Sequence, residues 1–167
     1  MEPEIYEDEG DRGIAAGTCA PINLQTSNSI KLYEAAAAAF NAGRSLVPPN
    51  YSKMLGCAIS INTLYRETFG HEIGGEASTY QFWQAIKNSN DFIQVQIPLP
   101  GDIIISPTGT QPSQSPLRNG HVGVVAKFGI LSNNSANGLF QEHYTLGSWA
   151  DRYVKLGGFP IFYFRAV

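Results

Sequence analysis

An α+β fold, with N-terminal helices packed on a central antiparallel sheet, is the class this sequence predicts, and three observations predict it. Helical periodicity is confined to residues 29–88. From residue 92 the apolar period changes to two, in short runs separated by Gly- and Pro-containing turns. Helices first and strands afterwards, without alternation, are the order of an α+β domain rather than of a parallel βαβ sheet. The 167 residues suffice for one domain to bury a core without metals or disulfides. At 43% hydrophobic and 15% charged, the chain is too apolar to be disordered, and 17 glycines and 10 prolines are too many breaks for a helical bundle.

Residues 1–26 open with an acidic cluster, "MEPEIYEDEGDRG", and continue without period. They read as a flexible acidic tail or linker, able to join a domain at 27–167 to a larger assembly. In "SNSIKLYEAAAAAFNAG" Asn28 or Ser29 is the cap, the alanines favour helix and Gly43 stops it. The helix predicted over 29–42 has Ile30, Tyr33, Ala37 and Phe40 as its apolar stripe. Pro48 and Pro49 predict an extended run up to Cys57. A second helix covers 57–69 and ends at Gly70, with Ile61, Leu64, Tyr65 and Thr68 inward. "STYQ" at 78–81 is a capping box for a third helix to 88, whose Phe82, Trp83 and Ile86 read as core.

After it, "FIQVQI" (92–97) alternates like a half-buried strand and "IIIS" (103–106) is a short buried one. Between them lies the turn "PLPGD", held by an Asx-type bond from Asp102. Residues 107–120 are loop. "HVGVVAKF" and "GILS" are strands joined near Gly129, "GLFQEHYT" another, "SWADRY" a helical turn and "FPIFYFRAV" the last strand.

Net charge is −3 and the 11 Lys and Arg are scattered, so there is no basic stripe for a phosphate backbone and nucleic acid is excluded as a partner. No apolar run reaches the roughly 20 residues of a membrane span, and the acidic start is the opposite of a signal peptide. The expectation is a chain made in the cytoplasm without a signal peptide or membrane insertion. Two cysteines give no disulfide framework and favour a reducing compartment of synthesis, with a Cys19–Cys57 bridge as the minor alternative. The three histidines and two cysteines show no metal-ligand spacing, so neither a metal nor another cofactor is expected.

Three stretches carry chemistry. Cys57 follows Gly56 and begins a helix, where free N–H groups and the macrodipole favour a thiolate and lower its pKa. The same N–H groups, that of Cys57 included, can bind an oxyanion. "GHVGVV" places His121 at the first position of a strand, beside glycines that admit a close neighbour, with a near-neutral pKa suited to a general base. In "ILSNNS" the Asn133 or Asn134 amide can accept from the imidazole and fix its tautomer. Singly, Cys57 reads as a small buried apolar residue and His121 as a core or loop histidine. His71 and His143 read as surface or cross-strand residues, and Trp149, Tyr153 and Tyr144 as core or rim packing before groove lining.

The order of a Cys-headed helix, "PLPGDIIIS", "GHVGVV" and a polar residue on the next strand resembles the NlpC/P60 and CHAP superfamily of papain-like cysteine peptidases and amidases, over residues 29–167. The resemblance implies a papain-like fold and a Cys-His-Asn triad. Cys57 is then the nucleophile, Gly101–Asp102 the turn, His121 the base and Asn133, twelve residues on, the orienting group. Asn133 is preferred because Asn134 points to the other face of a strand. Tyr51, six residues before Cys57, falls where papain-like enzymes place a side-chain oxyanion donor. The resemblance further implies cleavage of an amide bond through a thioester, without a cofactor, with peptidoglycan or a peptide as substrate, as in lysins and cell-wall hydrolases acting after release or export. Leu55–Gly56 stands where those families carry D-C-S/T or Q-C, and there is no Asp-rich calcium loop or cell-wall-binding repeat. The alternatives are a catalytically inactive cell-wall-binding or structural module of the same fold, and a transferase passing the acyl group to an amine.

Overall fold

The computed structural model describes residues 24–167. Cys19 and most of the acidic segment lie outside the described residues. Helix α1 (Ser27–Asn41) is capped by Thr26 rather than by Asn28 or Ser29. The Thr26 side chain accepts from the Ser29 N–H at 3.0 Å and Ser29 Oγ accepts from the Thr26 N–H at 3.1 Å. This reciprocal box satisfies two backbone donors where a lone cap satisfies one. The buried stripe is Ser29, Leu32, Ala36 and Ala39, turned away from the expected one, so that Ile30 and Phe40 stay 39% and 38% exposed. Small side chains on the inner face bring the helix backbone close to its neighbours. A Cβ at Gly101 would lie 1.9 Å from the Ser29 carbonyl oxygen.

The chain after Pro49 does not stay extended. Lys53–Leu55 form a 3-10 turn, closed by the Gly56 N–H on the Lys53 carbonyl at 3.4 Å, and Gly56 then serves as cap of helix α2 (Cys57–Phe69). Proline restricts the residue before it, which leaves 51–56 free to turn. Helix α2 stops at left-handed Gly70, φ 84°, and buries every residue from Ala58 to Tyr65. Thr68, expected inward, is half-buried. Ser78 caps helix α3 (Thr79–Lys87), its hydroxyl accepting from the Gln81 N–H at 3.1 Å. Phe82 and Ile86 are core, and Trp83 stacks on Phe162 at 5.0 Å.

Six antiparallel strands follow: β1 (Phe92–Val95), β2 (Ile103–Ser106), β3 (His121–Val125), β4 (Ile130–Asn133), β5 (Phe140–Tyr144) and β6 (Phe162–Ala166), in the order β1-β6-β2-β3-β4-β5. The α+β class and the helices-then-sheet order are therefore those expected. The side chains of Ile103, Ile105, Val122, Val124 and Leu131 pack against α1, α2 and α3. The opposite face, with Ile104, Val125 and Ile130, is covered by the segment after β5. There helix α4 (Leu146–Trp149) runs on as a π-helical stretch, Ala150–Leu156, longer than the single turn expected. Trp149 is fully buried and its indole N–H donates to Ser106 Oγ at 3.0 Å, so its place is in the core. No helix among the described residues is long and apolar enough to cross a membrane.

Asp102 does hold its turn, accepting from the Leu99 N–H at 2.8 Å, and it does more. Its two oxygens take the Arg165 Nε–H at 2.9 Å and Nη2–H at 2.7 Å, with both residues buried. Arg165 also donates to the carbonyls of Ile97 (3.2 Å) and Leu24 (3.3 Å), tying the turn before β2 to β6 and to the start of α1. Removing one partner strands the other charge in the interior. Arg165→Met is expected to cost about 3–5 kcal/mol, read as a fall in urea midpoint. The double variant Asp102→Asn/Arg165→Met should recover part of that loss, and a cost near zero for Arg165→Met would contradict the role given to the pair.

Candidate active site

Glycines at two close approaches bring α2 and β3 together. A Cβ at Gly56 would lie 2.4 Å from Val47 Cγ2 and 3.2 Å from Asn133 Nδ2, so the cap of α2 sits against the end of β4. At Gly120 it would lie 1.8 Å from the Ser106 carbonyl oxygen, so the chain enters β3 pressed onto β2. The Gly120 N–H donates to Thr108 Oγ1 (2.8 Å), which lies 2.8 Å from Thr79 Oγ1, tying the loop before His121 to the first residue of α3.

These elements enclose a cleft of about 300 Å³. Met54, Leu55 and Cys57 line it from the 3-10 turn and α2, Ser78 and Thr79 from the start of α3, and His121 and Asn133 from β3 and β4. His143, Tyr144, Arg152 and Tyr153 complete it from β5 and the π-helical stretch. Of the predicted site residues, Cys57, His121 and Asn133 meet in this cleft. Tyr51 does not: it is 41% exposed, its hydroxyl donates to Glu76 Oε1 at 3.3 Å, and it is absent from the lining. The 3-10 turn between Tyr51 and Cys57 shortens the chain there and turns the phenol outward.

Cys57 is a free, partly buried thiol. The backbone N–H groups of Ala58, Cys57 and Val122 are near enough to its sulfur to favour the thiolate. Val122 is the residue after His121, so a neighbour of Cys57 in space is the neighbour of His121 in sequence. Those three donors pull the thiol pKa down, as expected of a helix start, but burial outweighs them and pushes it up to about 11. His121 is 8% exposed. Burial first, then the charges of His143 and Arg152, push its imidazole down to about 3, not to the near-neutral value expected of a strand end. The resting pair is thiol and neutral imidazole.

His121 Nε2 lies 3.0 Å from Ser132 Oγ. The β3–β4 register, Val124 opposite Leu131, places His121, Gly123 and Ser132 on one face and Val122 and Asn133 on the other. Gly123, whose Cβ would meet Ser132 Cβ at 3.0 Å, leaves the space through which the hydroxyl reaches the ring. The group on the imidazole is therefore Ser132, not Asn133. Asn133 acts on the helix side, where its Nδ2 donates to the Lys53 carbonyl at 2.9 Å and braces the 3-10 turn that delivers Cys57. Its Oδ1 is buried without a hydrogen-bond partner. Asn134 is a turn residue, its Oδ1 accepting from the Ala136 N–H at 3.0 Å.

The residues that sequence reasoning missed are Ser132, His143 and Arg152. Counting alternation back from the turn at Gly129 would have put Ser132 on the His121 face. The ring of His143 stands 6.1 Å from that of His121. Arg152 carried no spacing signal, because a π-helical stretch breaks the 3.6-residue period that would have set its direction. Among the described residues, no group of three or more His, Cys, Asp or Glu could hold a metal ion. No family model matches this chain, and no curated protein matches it either.

His121 in the folded protein takes up its proton near pH 3, against an ordinary 6.5. As pH falls the unfolded chain therefore protonates first, so the stability tied to this residue is complete above about 6.5 and is lost on the way down to about 3. His121→Gln is expected to flatten the fall in urea midpoint between pH 6.5 and 4. An unchanged slope would contradict the buried, neutral imidazole.

Proposed function

We propose that this protein is a papain-like cysteine hydrolase that cleaves an amide bond of a peptide, with peptidoglycan stem peptides as its substrate. One observation carries the reading: Cys57 at the first position of α2 and His121 at the first position of β3 line one cleft, with Ser132 Oγ 3.0 Å from His121 Nε2. The sequence resemblance to the NlpC/P60 and CHAP superfamily supports it, and an enzyme of this kind acts at the cell wall after release or export.

In the tautomer that donates Nε2–H to Ser132 Oγ, Nδ1 is the nitrogen with a free lone pair. It takes the Cys57 proton as the sulfur attacks the substrate carbonyl carbon, so that a neutral pair becomes charged only in the transition state. The Cys57 N–H, released from the sulfur as its electrons go to carbon, donates to the oxyanion. The C–N bond then breaks and the amine leaves with the proton from His121. Water attacks the thioester, its proton returning through His121 to the sulfur as the carboxylic acid departs. Asn133 Oδ1 is a buried acceptor at the cleft for a peptide N–H of the substrate.

The burial that holds Cys57 as a thiol favours a second reading, a cell-wall-binding module with an inert cysteine. Incubation with peptidoglycan fragments, followed by mass spectrometry of released amines, separates the two. Turnover is expected to fall by about 10³-fold or more in Cys57→Ala and His121→Ala, with unfolding midpoints near that of the parent. Ser132→Ala is expected to lose about 10²-fold through misplacement of the ring. Turnover surviving in Cys57→Ala sinks the hydrolase, and fragment binding without amine release establishes the binding module.

A further inference from the structure

Among the described residues, Arg152 is the one that lines the cleft with a permanent charge, and no aspartate or glutamate lines it. No ion pair of Arg152 occurs among the described residues. Its guanidinium stands over the Tyr153 ring at 5.7 Å, and Tyr144 lines the same side of the cleft. The ring beneath it limits the directions open to a group that has five donors, and those donors meet no acid among the described residues. An arginine held in this way is a fork for a planar oxyanion.

Its position says which part of a substrate would bring that oxyanion. The 3-10 turn and Cys57 form the side of the cleft where the acyl group is taken. The His121 ring stands 5.9 Å from those of both Tyr144 and Tyr153, and Arg152 lies over the second. On the hydrolase reading His121 delivers the proton to the departing amine, so the chain on the amine side runs past His121 toward Arg152. We propose that Arg152, seated over the Tyr153 ring, anchors a carboxylate on the leaving-amine residue, so that the preferred substrates release an amino acid or short fragment whose free carboxylate lies close to the scissile nitrogen.

The same placement couples binding to chemistry. The Arg152 charge is one of the causes that depress the basicity of His121. A carboxylate bound to Arg152 neutralises that charge and returns proton affinity to the imidazole when a substrate is present.

The site assignment of the carboxylate rests on the hydrolase reading, whereas the anion preference itself can be measured without turnover. The Cys57→Ala full chain would be titrated calorimetrically with acetyl-alanyl-alanine as the free acid and as its C-terminal amide. The acid is expected to bind about 10- to 100-fold more tightly, as for a charge-assisted hydrogen bond, and Arg152→Gln in the same background should abolish the difference while leaving the amide unaffected. Equal behaviour of the two peptides, absence of binding by both included, or an acid preference that survives Arg152→Gln, overturns the proposal. The parent protein is then assayed for cleavage of the same pair. An Arg152-dependent preference without cleavage leaves the carboxylate site standing and removes the hydrolase, and cleavage without preference does the reverse.

Discussion

The buried pair of Asp102 and Arg165 is the interaction from which the geometry of the rest is counted. It pins the turn ahead of β2, and β2 lies between β6 and β3. From that anchored end the register runs Ile103 opposite Val124, Ile104 opposite Gly123, Ile105 opposite Val122 and Ser106 opposite His121. Because side chains alternate along a strand, a slip of one residue would turn His121 to the other face and break its contact with Ser132. A fully buried carboxylate and guanidinium tolerate no such slip, since each loses its counter-charge. The pair is remote from the cleft in sequence, yet it decides which residue stands at the head of β3.

Two forces contend at the cleft itself. Backbone N–H groups of Cys57, Ala58 and Val122 favour a thiolate, while removal from water favours a thiol, and removal wins. His121 is subject to the same penalty, with the positive charges nearby adding to it. Cys57 and His121 consequently rest uncharged, and on the proposed hydrolase reading the charge separation would belong to the moment of attack, when the carbonyl oxygen rather than the sulfur would need the donors. The arrangement differs from a thiolate–imidazolium pair formed in advance, and the difference lies in burial.

Much of the fold was legible because it rests on local signals. The Ser78 cap, the Gly70 stop and the strands from Ile103 and His121 follow from capping, left-handed glycine and alternation, each confined to a few residues. The buried face of α1 was not legible, because periodicity identified the large side chains and the packing selected the small ones, Ala36 and Ala39. Cys57 and His121 could be found from their helix and strand starts. The assignment of Asn133 to the imidazole failed by one residue, since the face of a strand depends on where the preceding turn closes. Tyr51 was misplaced because a spacing of six residues means different directions in an extended chain and in a 3-10 turn. Arg152 was invisible because its place in the cleft depends on the direction of a π-helical stretch, which no 3.6-residue period announces.

The central claim is that Cys57 and His121 act together on a carbonyl carbon. It is tested most directly by adding a peptide aldehyde labelled with ¹³C at the carbonyl and following the carbon resonance, with the site located by mass spectrometry. One thiohemiacetal is expected, on Cys57, lost in Cys57→Ala and strongly weakened in His121→Ala. An absent adduct, or one that persists without Cys57, would contradict it.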